Sequence, residues 1–359
     1  MQQRLFLRLL GAPTVTSFST RLTASPTPLR WRMRISSLAC ALGLLVVSGS
    51  YAQMPGEQPT MTNKNIVVTL LGTGSPDPNP ARAGAATLIE AGGMRFLFDA
   101  GRSAAMRLAQ IKVPLGSIDE IFLTHLHSDH VVGLPEVWLT GFINPNIGGR
   151  IGPLTVVGPQ GTRSLVENMS KAFAADVKIR IEDQKVNPKN TELRSREFTF
   201  DGVVFDSKGV KISAFAVNHG DLIKPSFGYK LEYAGRSVLL SGDTKFDENL
   251  IKHGKNVDLI IHEVAEAPEE IKNMPWVVDI LGHHTTAEEA GRVFSRTSPK
   301  LAVYTHLVLL STPKFKSVSV SQIEEKTRKT YTGPLVVGED LMRFTIGDDV
   351  QMTRAEASR

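Results

Sequence analysis

Cysteine is almost missing from this chain: 359 residues contain one, Cys40. A single sulfur can build neither an internal disulfide framework nor a thiolate metal cluster. Acidic residues are missing from positions 1–52, where six arginines stand: Arg4, Arg8, Arg21, Arg30, Arg32 and Arg34. Long apolar runs are missing too. The run from Leu38 to Val47 is too short to cross a bilayer as a permanent helix. Beyond Gln53 there is no low-complexity tract, long linker or block of like charge.

These gaps divide the chain. Met33-Arg34, the apolar run and Ser50-Tyr51-Ala52 have the order of a secretory signal: a basic start, an apolar core and a small-residue cleavage site. Residues 1–52 are therefore expected to be a presequence, with Met33 as the initiator and cleavage after Ala52. Residues 1–32, rich in Arg, Ser and Thr, also fit a transit peptide. Cys40 lies inside the signal core rather than after it, which argues against a lipid anchor. The expected location is periplasmic or secreted, with no membrane span after processing.

The presequence also carries the net charge of +5. The whole chain has 41 Lys and Arg against 36 Asp and Glu, and without the six arginines the balance is 35 against 36. No overall cationic field remains to attract nucleic acid, which disfavours it as a partner. Residues 53–64, polar with Pro55 and Pro59, are expected to be a flexible lead-in. Residues 65–359 are long enough to bury a large core as one catalytic domain.

What is present centres on Thr124-His125-Leu126-His127-Ser128-Asp129-His130, an H-x-H-x-D-H run after the strand-like Ile118 to Thr124. Imidazole and carboxylate suit a borderline divalent cation. Strands are expected at Ile66–Leu71, Ala86–Glu90, Arg95–Phe98, Leu154–Val157, Val210–Val217, Phe227–Tyr233, Ser237–Leu240, Val257–Ile261, Lys300–Tyr304 and Leu335–Val337. Hairpin turns are expected at Ala91-Gly92-Gly93 and Ala234-Gly235-Arg236. Helices are expected at Ser103–Gln110, Leu134–Leu139, Thr162–Ala174, Ala287–Phe294 and Ile323–Lys329, with Thr285 or Thr286 capping the fourth. The stretch 177–209 is polar and mixed and yields no element. His253 reads as part of a solvated turn.

His125, His219, Asp243, His262 and His306 each follow a β-type run, so a sheet with its strand ends at one rim would gather them. Seven side chains are candidate ligands: His125, His127, Asp129, His130, His219, Asp243 and His306. They are too many for one tetrahedral ion with an open position. They suit two ions about 3.5–4 Å apart that share a carboxylate and acidify a water between them.

From Val67 to Thr345 the sequence resembles the metallo-β-lactamase-fold hydrolases. The resemblance rests on Gly72-Thr73-Gly74-Ser75-Pro76, Phe98-Asp99-Ala100-Gly101, the H-x-H-x-D-H loop, Asn218-His219-Gly220, Ser241-Gly242-Asp243-Thr244 and Thr305-His306. It implies an α/β fold, an αββα sandwich of two mixed β-sheets with helices on both outer faces and metals at one rim. It places His125, His127 and His219 on one ion, Asp129, His130 and His306 on the other, and Asp243 between them. Asp99 would orient a ligand from behind. Within that superfamily Leu154–Gly161, His262-Glu263 and His284-Thr285 are most similar to the ribonuclease Z and secreted arylsulfatase branch. There a carboxylate–histidine pair, here Glu263 and His284, protonates the leaving oxygen, so Asp129, His284 and Glu263 carry the implied catalytic roles.

Two departures shape the expected function. Ribonuclease Z carries a long Gly/Pro-rich arm that grips tRNA, and none occurs between Gly161 and His219. β-Lactamases of this fold usually lack a carboxylate where Asp243 sits. The expected reaction is hydrolysis of a small anionic phosphodiester or sulfate ester by a hydroxide activated on two Zn2+, with Mn2+ or Fe2+ as substitutes. A lactonase or β-lactamase-like activity is the alternative, and a tRNA 3′-processing endonuclease the second. A homodimer is compatible with this family.

Overall fold

The strand pattern follows from covering both faces of each sheet. The computed structural model describes residues 64–143 and 145–354. The presequence, Cys40 and all of the lead-in except Lys64 lie outside the described residues. In β1 (Ile66–Gly72) every residue but Val67 is buried. Ile66, Val68 and Leu70 face the space between two sheets, while Leu71 faces outward onto helices. A strand buried on both faces reads as a continuous apolar run, and here it does. β2 (Ala86–Ala91) and β3 (Met94–Phe98) follow as a hairpin, joined by Gly92 and Gly93 at φ 60° and 73°. Two consecutive positive φ values match the strands' right-handed twist, and glycine reaches them without strain.

β4 (Glu120–Phe122), β5 (Leu154–Pro159) and β6 (Leu193–Phe198) extend the first sheet in parallel from β3. The chain then builds the second sheet from β7 (Gly202–Ser207), β8 (Val210–Ala216), β9 (Phe227–Tyr233), β10 (Arg236–Leu240), β11 (Leu259–Glu266), β12 (Leu301–Leu309) and β13 (Leu335–Val337). It returns to the first sheet through β14 (Met342–Ile346) and β15 (Val350–Arg354). The orders are β15-β14-β1-β2-β3-β4-β5-β6 and β13-β12-β11-β10-β9-β8-β7. Each sheet is antiparallel on one side and parallel on the other.

The inter-sheet core contains Phe96, Phe98, Phe122, Tyr229, Leu231, Val238 and Ile261. Outside the first sheet, Leu97 and Ile121 pack against Leu108, Trp138 and Met169 of the helices. Outside the second, Leu239 and Ile260 meet Leu250, Phe294 and Ile323. This is the expected αββα sandwich.

Several expectations need correction. The stretch 177–209 contains most of the helix Ala174–Gln184 together with β6 and β7. β6, β7 and β15 are outermost strands whose side chains are mostly half-buried or exposed, so their residues (Leu-Arg-Ser-Arg-Glu-Phe in β6) are too polar to stand out. The helix expected at Thr162–Ala174 stops at Ala172, and the next helix starts at Ala174. β11 and β12 continue past the residues at which they were expected to end, so His262, Glu263 and His306 lie within strands. His253 closes the helix Glu248–His253, with its ring stacked 4.7 Å from that of Phe215.

Candidate metal centre

The parallel strands β3, β4, β10, β11 and β12 direct their C-terminal halves toward one rim, and the site is built there. Backbone closeness comes first. A Cβ on Gly72 would lie 1.9 Å from Gly84 O, and one on Gly101 would lie 2.4 Å from Asp129 O. Only glycine lets these loops meet. Asp340, just after β13, fixes the loop that follows β1. Its carboxylate accepts from Thr73 N (2.9 Å), Thr73 Oγ1 (2.8 Å) and Ala83 N (2.7 Å), and pairs with Arg107 at 2.9 Å.

Asp99 follows β3 with φ 56°, an uncommon conformation for a residue with a Cβ. That turn lets it accept from Thr124 N and Thr124 Oγ1, both at 2.9 Å, and brings Oδ2 to 2.8 Å from His130 Nδ1. Asp99 thereby orients the His130 ring so that Nε2 faces the site. His219 is oriented similarly: its Nδ1 lies 2.8 Å from His283 O. His306 reaches inward for a different reason. Glu263 pairs with Thr305 and Val264 with Leu307, so His306 is the extra residue of a β-bulge, at φ 43°. A bulge re-aims a side chain that regular pleating would direct elsewhere.

The seven expected ligands form two quartets. In the first, His125 Nε2 is 2.9 Å from His127 Nδ1, which is 3.4 Å from His219 Nε2. Asp243 Oδ2 lies 3.8 Å from His125 Nε2 and 3.7 Å from His219 Nε2. In the second, Asp129 Oδ2 is 3.1 Å from His306 Nε2 and 3.5 Å from His130 Nε2. The same Asp243 Oδ2 lies 3.3 Å from His130 Nε2 and 3.4 Å from His306 Nε2. Ligand atoms about 2.0–2.1 Å from one tetrahedral ion stand roughly 3.3 Å from each other. Both quartets match that spacing, and among the described residues His130 Nε2 is buried without a hydrogen-bond partner. The donor set therefore fits a pair of divalent cations.

Glu263 and His284 meet beside the quartets. Glu263 Oε1 is 2.9 Å from His284 Nδ1 and also accepts from Thr244 N (3.0 Å) and Thr285 N (3.3 Å). A ring nitrogen of His284 lies within 4.8 Å of the ligating atoms of Asp243 and His306. Thr286 caps the next helix through a reciprocal pair with Glu289, which holds residues 284–286 in place. His283 contributes its carbonyl to His219. His262 is fully buried, with Nδ1 2.7 Å from Glu263 O and its ring edge-on to Phe294. Thr124 and Asp340 escaped the sequence reading, since neither residue type is distinctive in its local sequence.

In the metal-free chain burial pushes His219, His262 and His284 down to about 4 and holds His125 well below its usual range. Burial also opposes charge on His130 and His306, but Asp243 outweighs it, with help from Asp99 and Asp129 respectively, and both are raised. Between pH 6.5 and about 4, unfolding therefore takes up protons at the first group, so stability falls as pH falls. The stability that His130 and His306 contribute is complete below 6.5 and is lost as pH rises through their higher folded values. The chelated protein should show its highest thermal midpoint near pH 6.5. A scan across pH 4–9 that is flat, or that climbs steadily toward acid, would contradict these assignments.

Comparison with known proteins places this geometry. Residues 66–273 match the family model described as Anti-Pycsar protein Apyc1. Ribonuclease Z of Mycolicibacterium gilvum (strain PYR-GCK) is 34% identical over 285 residues, which is 78% of this chain and 96% of that protein. The metallo-β-lactamase fold protein YhfI from Bacillus subtilis shares the fold at a TM-score of 0.60 and 17% identity, covering 79% of this chain and 100% of its own. Human tRNase Z, short form, does so at a TM-score of 0.57 and 22% identity, covering 78% and 99%.

Proposed function

We propose a function from one premise: this chain belongs to the ribonuclease Z family of metallo-β-lactamase-fold hydrolases, and to the family of the Anti-Pycsar protein Apyc1. It is a hydrolytic enzyme that binds divalent metal and acts on phosphodiester bonds. Our reading of the finer chemistry is a two-cation phosphodiesterase for small anionic diesters. The observation that carries it is the single oxygen, Asp243 Oδ2, facing both quartets at 3.3–3.8 Å.

His125, His127 and His219 would hold one cation, Asp129, His130 and His306 the other, and Asp243 both. Bound there, the cations would supply an acidified water and offset charge on the attacked phosphorus and the leaving oxygen. The protein's own groups do the rest. Asp99 and the His283 carbonyl keep two imidazoles turned inward. Glu263 Oε1 holds Nδ1 of His284, which leaves Nε2 to protonate the departing oxygen. Zinc is the default ion for this His/Asp set, with iron or manganese as substitutes.

An RNA phosphodiester is the second reading, and the relatives named ribonuclease Z favour it. They weaken the earlier argument from charge against a nucleic-acid substrate. The small-diester reading draws support from the opening beside His127, which has a volume of about 220 Å3.

The test is metal analysis followed by a substrate panel on the metal-loaded protein. About two ions per chain are expected, with activity abolished by chelation. Bis(p-nitrophenyl) phosphate should turn over faster than p-nitrophenyl sulfate, nitrocefin or a homoserine lactone. Faster sulfate, β-lactam or lactone hydrolysis would overturn the choice of bond, and efficient cleavage of precursor tRNA would move the assignment to the second reading.

A further inference from the structure

We propose that the pocket beside the metal centre selects phosphodiesters whose second ester group is a flat ring of aryl or nucleobase size, and that Leu222 sets this selection. The inference rests on the phosphodiesterase reading and adds where the rest of the substrate lies.

The pocket is open to solvent and has a volume of about 220 Å3. Its lining includes His125 and His127, so anything inside is adjacent to the first quartet. His127 is the most exposed member of that quartet and lines the pocket. Leu126, Ile223 and Pro225 form the sides, and Leu222 stands at the lip. The volume falls below the roughly 300–1,000 Å3 typical of drug-sized ligands. It admits one ring system rather than a run of nucleotides.

Charge and polarity agree with that occupant. Leu222 is 98% exposed and Leu126 38%. One exposed leucine needs no explanation, but two that border the same cavity as Ile223 present apolar faces that stay uncovered among the described residues. A ring sliding between them would remove this surface from water. At the lip, Lys224 Nζ is 3.4 Å from Asp221 Oδ1, an exposed pair that holds the ammonium only weakly. The ammonium is thus free to meet the diester's negative charge, and Gln160 offers a polar group for the edge of a heterocycle. Residues 221–224 belong to the short connection between β8 and β9 that also carries His219, so the lip and a candidate ligand are positioned together.

Two p-nitrophenyl phosphodiesters separate this idea from the phosphodiesterase reading, one with phenyl and one with methyl as the second ester group. On the metal-loaded full chain, KM for the phenyl diester should be roughly tenfold lower. Leu222→Ser should erase most of that preference, and the near-complete exposure of Leu222 makes misfolding an unsuitable explanation. Calorimetric binding of phenylphosphonate against methylphosphonate reads the same pocket without turnover. Equal affinity for the two phosphonates, or a phenyl preference that survives both Leu222→Ser and Ile223→Ser, overturns the proposal. Failure to hydrolyse either diester would count against the phosphodiesterase reading instead.

Discussion

Replacing Asp243 by Asn is expected to remove metal and activity together. Metal content should fall from about two ions per chain to one or fewer, and kcat/KM on bis(p-nitrophenyl) phosphate should drop by at least about 10^4-fold, or roughly 5.5 kcal/mol of transition-state stabilisation. The argument is one of counting. Every other candidate ligand serves one quartet, whereas Asp243 Oδ2 lies within 3.8 Å of four imidazoles drawn from both. Burial opposes its charge, yet His306 and His130 hold it ionised well below the usual carboxylate range. Asn keeps the shape and removes the anion, so a circular dichroism spectrum like that of the parent would show that the loss lies in charge rather than folding. His127→Ala is the useful contrast. It withdraws one imidazole from one quartet at its most exposed point and should cost about 10^2-fold. An Asp243→Asn protein that keeps two ions and stays within tenfold of parent activity would refute the shared-carboxylate assignment.

The contrast between these two residues also marks what sequence could reveal. The loop His125–His130 was legible because imidazoles and carboxylate crowd into one short run, where few structural roles require them. The central strands were legible because burial on both faces demands uninterrupted apolar side chains, as in Ile66–Leu71. Strands β6, β7 and β15 were not, since most of their side chains are half-buried or exposed, which permits arginine, aspartate and glutamine. His306 could be nominated by type, but its arrival depends on the bulge opposite Glu263 and Val264, a register feature with no local signature. Thr124 binds the Asp99 carboxylate through its amide and hydroxyl, and Asp340 gathers Thr73, Ala83 and Arg107, all across long sequence separations that residues so common in loops do not announce. His283 and His284 likewise take roles that only the fold separates. Neighbours in sequence, they part in space: one offers its carbonyl to His219 and the other its Nδ1 to Glu263.

Removing the imidazole of His284 should injure some substrates far more than others. For a diester with an alkyl leaving group, His284→Ala should lower kcat by about 10^2–10^4-fold, the usual contribution of a positioned general acid. For a p-nitrophenyl leaving group, which departs without a proton, the loss should stay within roughly tenfold. The pH dependence has a definite sign. Burial holds His284 at about 4, so its acid form is a shrinking minority as pH rises through neutrality. Alkyl-diester turnover should therefore decline with rising pH wherever the metals remain bound, and the variant should lose that slope. Glu263→Gln should reproduce part of the defect, because Oε1 lies 2.9 Å from Nδ1 of His284 and holds the ring. A rival arrangement has a distinct outcome. Asp243, His284 and His306 also lie close enough to share an ion. If His284 were a ligand instead of a proton donor, its loss would lower metal content and depress both substrates equally. Selective injury of the alkyl diester, with two ions retained, is the result that assigns the proton to His284.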